Sequence, residues 1–149
     1  MICSVFGHRK IEECIDDEKL KYIFLYLITE KGVDTFYFGE FGEFDRLCHK
    51  IVTELKKAFT HLSRVYCLED AKLLLPKNAV KYLDKSKYED FVFLPLSFDG
   101  WYKRIYFRNC AMIDASDFIV FYAKERPDSG AWKAYKYAVK RKKLLVNIG

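Results

Sequence analysis

Three short stretches of the chain carry residues that could hold an anion. Gly7-His8-Arg9 follows one apolar run, Gly39-Glu40-Phe41-Gly42-Glu43-Phe44-Asp45 follows a second, and Lys124 to Gly130 follows a third. In each, glycine stands where the chain leaves a strand or enters a helix, and a residue without Cβ lets backbone N–H groups approach an anion at a helix N-terminus. Phosphate is the natural guest of such loops. None of them matches the better-known phosphate motifs, since the sequence has neither GxxxxGK followed by Ser or Thr nor GxGxxG, which argues against a conventional ATPase or nicotinamide dehydrogenase. By itself Gly39-x-x-Gly42 reads as turn punctuation.

Metal chemistry has less support. His49 and His61 lack partners at metal spacing, and the cysteines, Cys3, Cys14, Cys48, Cys67 and Cys110, are odd in number and form neither a CxxC pair nor a compact disulfide framework. No metal or other cofactor is expected, and this thiol usage points to a reducing cytoplasm. The 149 residues are 51% hydrophobic and 17% aromatic, which excludes disorder and suits one domain over residues 1–149. The net charge is +5, but Lys133, Lys136, Lys140, Arg141, Lys142 and Lys143 supply six cations with no acid between them. The rest of the chain is nearly neutral, so the composition describes a basic helix end and not a surface adapted to nucleic acid. The longest apolar stretch, Tyr22 to Ile28, is far short of the roughly 20 residues that span a bilayer, and Met1-Ile2-Cys3-Ser4 has no basic leader. A soluble, unexported protein with no membrane partner is expected.

Alternating strands and helices must present the three loops. Ile2 to Phe6 reads as a buried strand ending at Gly7. The next helix opens among Glu12, Glu13, Asp16, Asp17 and Glu18, keeps one apolar face through Leu20, Ile23, Phe24 and Leu27, and stops at Lys31-Gly32. Thr35 to Phe38 is a strand, Phe44 to Ala58 carries a helical stripe, and Arg64 to Leu68 is a third strand. An irregular excursion around residues 70–100 fits one short helix, with Phe91 to Leu96, cut by Pro95, as an edge strand or extended loop. Trp101 to Ser116 is a helix, Phe118 to Tyr122 a strand, Ala131 to Lys143 a helix and Leu144 to Ile148 the last strand. Repeated β-α-β units with continuous apolar strands imply an α/β fold, an open parallel sheet of about five strands with helices on both faces. Ligands of such sheets sit beyond the carboxyl ends of the strands, near the point where strand order reverses.

Gly7-His8-Arg9, Gly39-x-x-Gly42-x-Phe44-Asp45, Arg108-Asn109-x-x-Met112-Ile113-Asp114-x-Ser116-Asp117 and Ser129-Gly130-Ala131 occur in an order that resembles the SLOG superfamily. These are Rossmann-like nucleotide-ligand domains that include the Lonely Guy phosphoribohydrolases and a YpsA/YspA-like branch, which the chain resembles most. The resemblance covers about three quarters of the chain and implies a cleft for a nucleotide or nucleotide-derived ligand. By motif position, Gly7, His8 and Arg9 would lie under that ligand, Gly39, Glu40, Gly42 and Asp45 beside it, and Ser129 and Gly130 against a phosphate. Arg9 can pair with phosphate as a fork of donors, Asp45 can accept from ribose hydroxyls, and the N–H groups of Gly130 and Ala131 can form a helix-end anion site. Arg108 and Asn109 either reach the cleft or fasten their helix to a neighbouring loop.

Lonely Guy enzymes carry a Gly-Gly-x-Gly-Thr-x-x-Glu motif at the last helix, whose glutamate acts in cleavage of the N-glycosidic bond. The matching stretch here, Asp128 to Ala134, has alanine at the glutamate position, which argues against that chemistry by that route. Plainer roles stand beside the functional ones: His8 as a strand-end cap bonded to main chain, Asp45 as a first-turn helix residue, and the Lys133, Lys136, Lys140 stripe as a solvated face. Three hypotheses follow. The first is a nucleotide-ligand binding or sensing domain, left open to homodimer formation. The second is a hydrolase or transferase acting on a nucleotide N-glycosidic or phosphate bond, with Glu40, Glu43 or Asp45 as a carboxylate source. The third, disfavoured by the single basic patch, is a nucleic-acid-binding module using the last helix.

Overall fold

Long apolar runs bounded by glycine or acidic residues become strands, and in the computed structural model, which describes residues 1–94 and 103–149, six of them share one sheet. They are β1 (Ile2–Gly7), β2 (Thr35–Phe38), β3 (Ser63–Leu68), β4 (Asp90–Phe93), β5 (Phe118–Tyr122) and β6 (Leu144–Asn147). All neighbours pair in parallel, in the order β4-β3-β2-β1-β5-β6, with Cys3 opposite Phe118 and Ser4 opposite Tyr37. The sheet therefore has six strands where about five were expected. The additional one is the run beginning near Phe91, an edge strand paired to β3; Pro95 and Leu96 lie outside the described residues.

Helices α1 (Asp17–Lys31) and α2 (Glu43–Lys56) cover one face of the sheet, and α4 (Arg104–Ala115) and α5 (Gly130–Lys140) the other. A short α3 (Pro76–Tyr82), preceded by a 3-10 turn at Ala71–Leu74, lies in the β3–β4 connection. Phe24, Phe36, Phe38 and Phe44 are fully buried in the first layer, each worth about 1.5–3 kcal/mol. In the second layer Ala134 and Ala138 are fully buried against Phe121 and Met112, small residues that let α5 lie close to the sheet.

Several element ends differ from expectation for local reasons. The carboxylate of Asp16 accepts from the N–H groups of Glu18 and Lys19 at 3.0 and 3.2 Å, so α1 starts after it and Glu12 and Glu13 precede the helix. Those two acids instead pair with Arg126 at 2.6 Å and Lys124 at 2.5 Å, tying the β1–α1 loop to the β5–α5 loop. The last helix ends at Lys140, short of Lys143. Lys142 turns left-handed at φ +56°, and the Lys143 ammonium donates to the carbonyls of Asp114 and Ser116, both at 3.0 Å. Helix α4 begins at Arg104, and Trp101 and Tyr102, expected to be its first residues, lie outside the described residues. The excursion returns to the sheet through buried Arg64, which bonds Glu89 at 3.0 Å, Thr53 at 3.0 Å and the Ser86 carbonyl at 3.3 Å. His49, whose Nε2 lies 2.9 Å from the Lys87 carbonyl oxygen, fastens the same segment to α2.

The cysteines are all free, and among the described residues no group of His, Cys, Asp and Glu could hold a metal ion. No described helix is long and apolar enough to cross a membrane.

Candidate functional site

Strand order reverses at β1, which has β2 on one side and β5 on the other. The chain leaves β1 for α1 on one face and leaves β5 for α5 on the opposite face, so the two loops diverge and a crevice opens between them. A cavity of about 330 Å³ occupies this place. Gly7, His8 and Arg9 line it from the end of β1 and the loop after it, Gly39 and Phe41 from the β2–α2 loop, Asp45 from the first turn of α2, Ile105, Arg108 and Asn109 from α4, and Asp128, Ser129 and Gly130 from the start of α5.

The structure thus brings nine of the eleven residues singled out in the sequence around one cavity, and Glu40 and Gly42 stand apart from it. Glu40 lines an adjoining concavity with Arg46, His49, Lys87 and Tyr88, and Asp45 forms the wall between the two spaces. The Glu40 backbone is left-handed at φ +54°, and burial, with Asp84 and Glu69 nearby, raises its carboxyl above the ordinary value against the opposing pull of Lys87. Gly42 caps α2 at φ +103° and ψ 176°, and a Cβ there would stand 2.7 Å from the Arg9 Cα. The close approach it permits is to the protein's own Arg9 loop. That loop is joined to α2 by the Glu43 N–H donating to the Arg9 carbonyl at 2.8 Å and the Ile11 N–H donating to the Glu43 carboxylate at 2.6 Å.

Arg9 is exposed, has no ion-pair partner among the described residues, and lays its guanidinium 4.2 Å from the centre of the Phe41 ring. An aromatic shelf holds the group in place without neutralising it. Arg108 is buried. It donates to the Gly39 carbonyl at 3.0 Å and to the Asn109 side-chain oxygen at 3.1 Å, with the Glu69 carboxylate 3.6 Å away. A Cβ on residue 39 would meet its Nη2 at 2.6 Å, so Gly39 is the opening through which this arginine reaches the site. Arg108 therefore both fastens α4 to the β2 loop and places a cation in the cavity wall. Asp45, only 6% exposed, accepts from the Gly39 N–H at 3.1 Å. Burial pushes its carboxyl up to about 6, against the opposing pull of that N–H and of Arg108.

Helix α5 presents its first N–H groups to the same space. Ser129 caps it by accepting from the Trp132 N–H at 3.2 Å, and a Cβ on Gly130 would meet nothing within 4 Å, leaving the N–H groups of Gly130 and Ala131 open. His8 is buried beneath, its ring edge-on to Tyr122, bonded to Ser129 and to the main chain of Lys124. Position 134 is fully buried in the α5 layer of the core, so a carboxylate there would enter the sheet packing and not the cavity.

The loops of a parallel α/β sheet converge at its switch point. The fold is Rossmann-like. An X-ray structure of DNA processing protein A (DprA) from Streptococcus pneumoniae matches with a TM-score of 0.60 at 13% sequence identity, covering 97% of this chain and 49% of that one. The chain thus spans about half the length of that Rossmann-like neighbour. No protein-family model and no curated protein matches the sequence. Sequence reasoning missed Phe41, Ile105 and Asp128 as cavity residues, with Val5 and Phe6 at the end of β1. Phe41 carried a usable signal, since an aromatic flanked by Gly39 and Gly42 in a loop is poorly placed to join a core.

Proposed function

We propose that residues 1–149 form one SLOG-type domain, nearest the YpsA/YspA-like branch, that binds or senses a nucleotide or nucleotide-derived ligand in the switch-point cavity. The observation that carries this reading is the convergence on one cavity of Arg9, which has no ion-pair partner among the described residues, and an open helix N-terminus at Gly130. Arg9 clasps a phosphate as a fork of donors, the α5 N–H groups hold further oxygens, and Arg108 adds positive potential from the wall. Asp45 accepts from ribose hydroxyls, and Glu40 borders the far side. Binding is favoured over N-glycosidic hydrolysis because position 134 is alanine and faces the core.

A thermal-shift panel of nucleotides, cyclic nucleotides and ADP-ribose derivatives tests the reading. A true ligand at about 100 times its Kd stabilises the folded state by about 2.7 kcal/mol, roughly 5–10 °C in Tm for a chain this size. No shift across the panel would overturn it. With a ligand in hand, Arg9→Ala is expected to weaken binding by about 1.5–3 kcal/mol, roughly ten- to a hundredfold in Kd, and to leave the fold intact because the side chain is exposed. Unchanged affinity by calorimetry would remove Arg9 from the site.

Nucleic acid is a second reading, and one observation favours it: the structural neighbour's name describes DNA processing. A cavity that grips phosphate can also grip a backbone phosphate. The basic end of α5 contributes less than its composition implies, since Arg141 pairs with Asp114 at 2.9 Å and Lys143 caps α4, which leaves Lys140 and Lys142. Two cations correspond to a log-log salt slope of about 1.4–1.8 in magnitude, where Lys140, Arg141, Lys142 and Lys143 together would give roughly three to four. Lys140→Gln with Lys142→Gln is expected to leave small-nucleotide affinity unchanged, because these residues lie at and just beyond the far end of an 11-residue helix from Gly130. Tight DNA binding at physiological salt that this double change abolishes would favour the second reading.

A further inference from the structure

His8 and Ser129 look at first like a nucleophile and its base. The Ser129 Oγ lies 2.9 Å from the His8 Nδ1, and both residues line the cavity. In a working pair the imidazole nitrogen facing the serine must carry a lone pair, and the other nitrogen must carry the proton. Here the other nitrogen is committed the opposite way. The backbone N–H of Lys124, which can only donate, points at the His8 Nε2 at 2.7 Å. A neutral imidazole whose Nε2 accepts must hold its proton on Nδ1, so Nδ1–H donates to the Ser129 Oγ.

The serine oxygen then has both lone pairs in use, one taken by the His8 Nδ1–H and one by the Trp132 N–H at 3.2 Å. Its own proton has no protein acceptor among the described residues and is left for the space Ser129 lines. We infer that His8 is a positioning residue that locks Ser129 as a hydrogen-bond donor to an unprotonated oxygen of a bound anion, and that Ser129 is not a nucleophile. Burial and the Arg126 guanidinium lower the imidazole's affinity for a proton and so favour the neutral form, with the Lys124 charge acting the same way and Glu12 and the Lys124 main-chain contact opposing. The donor role rests on the anion-binding reading above, whereas the tautomer does not.

The test has a spectroscopic arm and a binding arm. In a long-range proton–nitrogen correlation spectrum of the labelled protein at mildly alkaline pH, with His8 assigned by comparison with His8→Gln, Nδ1 is expected in the protonated, pyrrole-like range and Nε2 in the pyridine-like range. The reverse pattern would overturn the lock, and so would covalent capture of Ser129 by a fluorophosphonate. For binding, inorganic phosphate is the probe. Ser129→Ala is expected to raise its Kd roughly tenfold or more, since a lost hydrogen bond to a charged group is being read. His8→Asn, whose amide N–H can replace the Nδ1–H, is expected to keep more affinity than His8→Leu, and equal loss in the two would overturn the positioning role. If the tautomer is as stated and the wild-type protein does not bind phosphate, the anion-binding reading fails and the donor role with it, while the lock stands.

Discussion

Asp45→Asn is expected to make the protein more stable at neutral pH than the native aspartate does. Asp45 is buried, accepts from the backbone N–H of Gly39 with that of Glu40 also turned toward it, and has its carboxyl pushed from 3.8 to about 6 by burial. An acid whose folded value lies above its unfolded value contributes stability below about pH 4 that is lost as the pH rises through 6. At pH 7 the loss is roughly 2–3 kcal/mol, a shift of about two units at 1.36 kcal/mol each. The asparagine amide would keep an oxygen for the Gly39 N–H and would not ionise. Denaturant unfolding across this interval should show the wild type weakening as pH rises and Asp45→Asn flat by comparison. His8 acts in the opposite sense, because its lowered value costs stability as pH falls below the ordinary 6.5, so the difference between the two proteins isolates Asp45. An Asp45→Asn protein less stable than wild type at pH 7 would mean that Arg108 holds the carboxylate firmly enough to outweigh its burial. A carboxylate retained against stability is best explained by the ligand contact proposed for it, so the variant should also bind nucleotide more weakly.

Gly42→Val is expected to have the largest destabilising effect in the site. The backbone there occupies a region that is essentially glycine's alone, and a Cβ would stand 2.7 Å from the Arg9 Cα. Conformational strain of about 1–3 kcal/mol adds to an overpacking cost of similar size, so the loss should be on the order of 3 kcal/mol or more. The Arg9 loop must also move, and binding falls with it. Gly130→Ala is the informative contrast. With nothing within 4 Å of its Cβ, it should leave stability unchanged or slightly raised while the methyl group intrudes on the anion site. Near-native stability in Gly42→Val would show that the α2 cap and the Arg9 loop are free to separate.

Local features are legible in the order of residues. The apolar runs at β1 and β5, the cap at Gly32 and the start of α5 after Ser129 depend on residues within one or two turns of each other, and the chain order displays those directly. The same holds for the strand ends, and hence for most of the residues around the cavity, because a parallel sheet puts its loops at one edge. Element ends are less legible where a tertiary contact sets them, as at Lys143, whose ammonium caps a different helix.

What the residues do for one another was decided by the tertiary structure. The chain separates Arg108 from the Gly39 carbonyl by 69 positions and His8 from Ser129 by 121, yet each pair is in hydrogen-bond contact. Those meetings follow from β1 lying between β2 and β5, an order chosen by burying two apolar faces at once and invisible to any local window. Composition and periodicity determined by themselves that this chain builds a parallel α/β sheet with glycine loops at the strand ends. Strand order alone decided that Gly42 serves Arg9, that Asp45 is buried beside Arg108, and that His8 turns the Ser129 proton outward, because each of these depends on which loops the sheet makes neighbours.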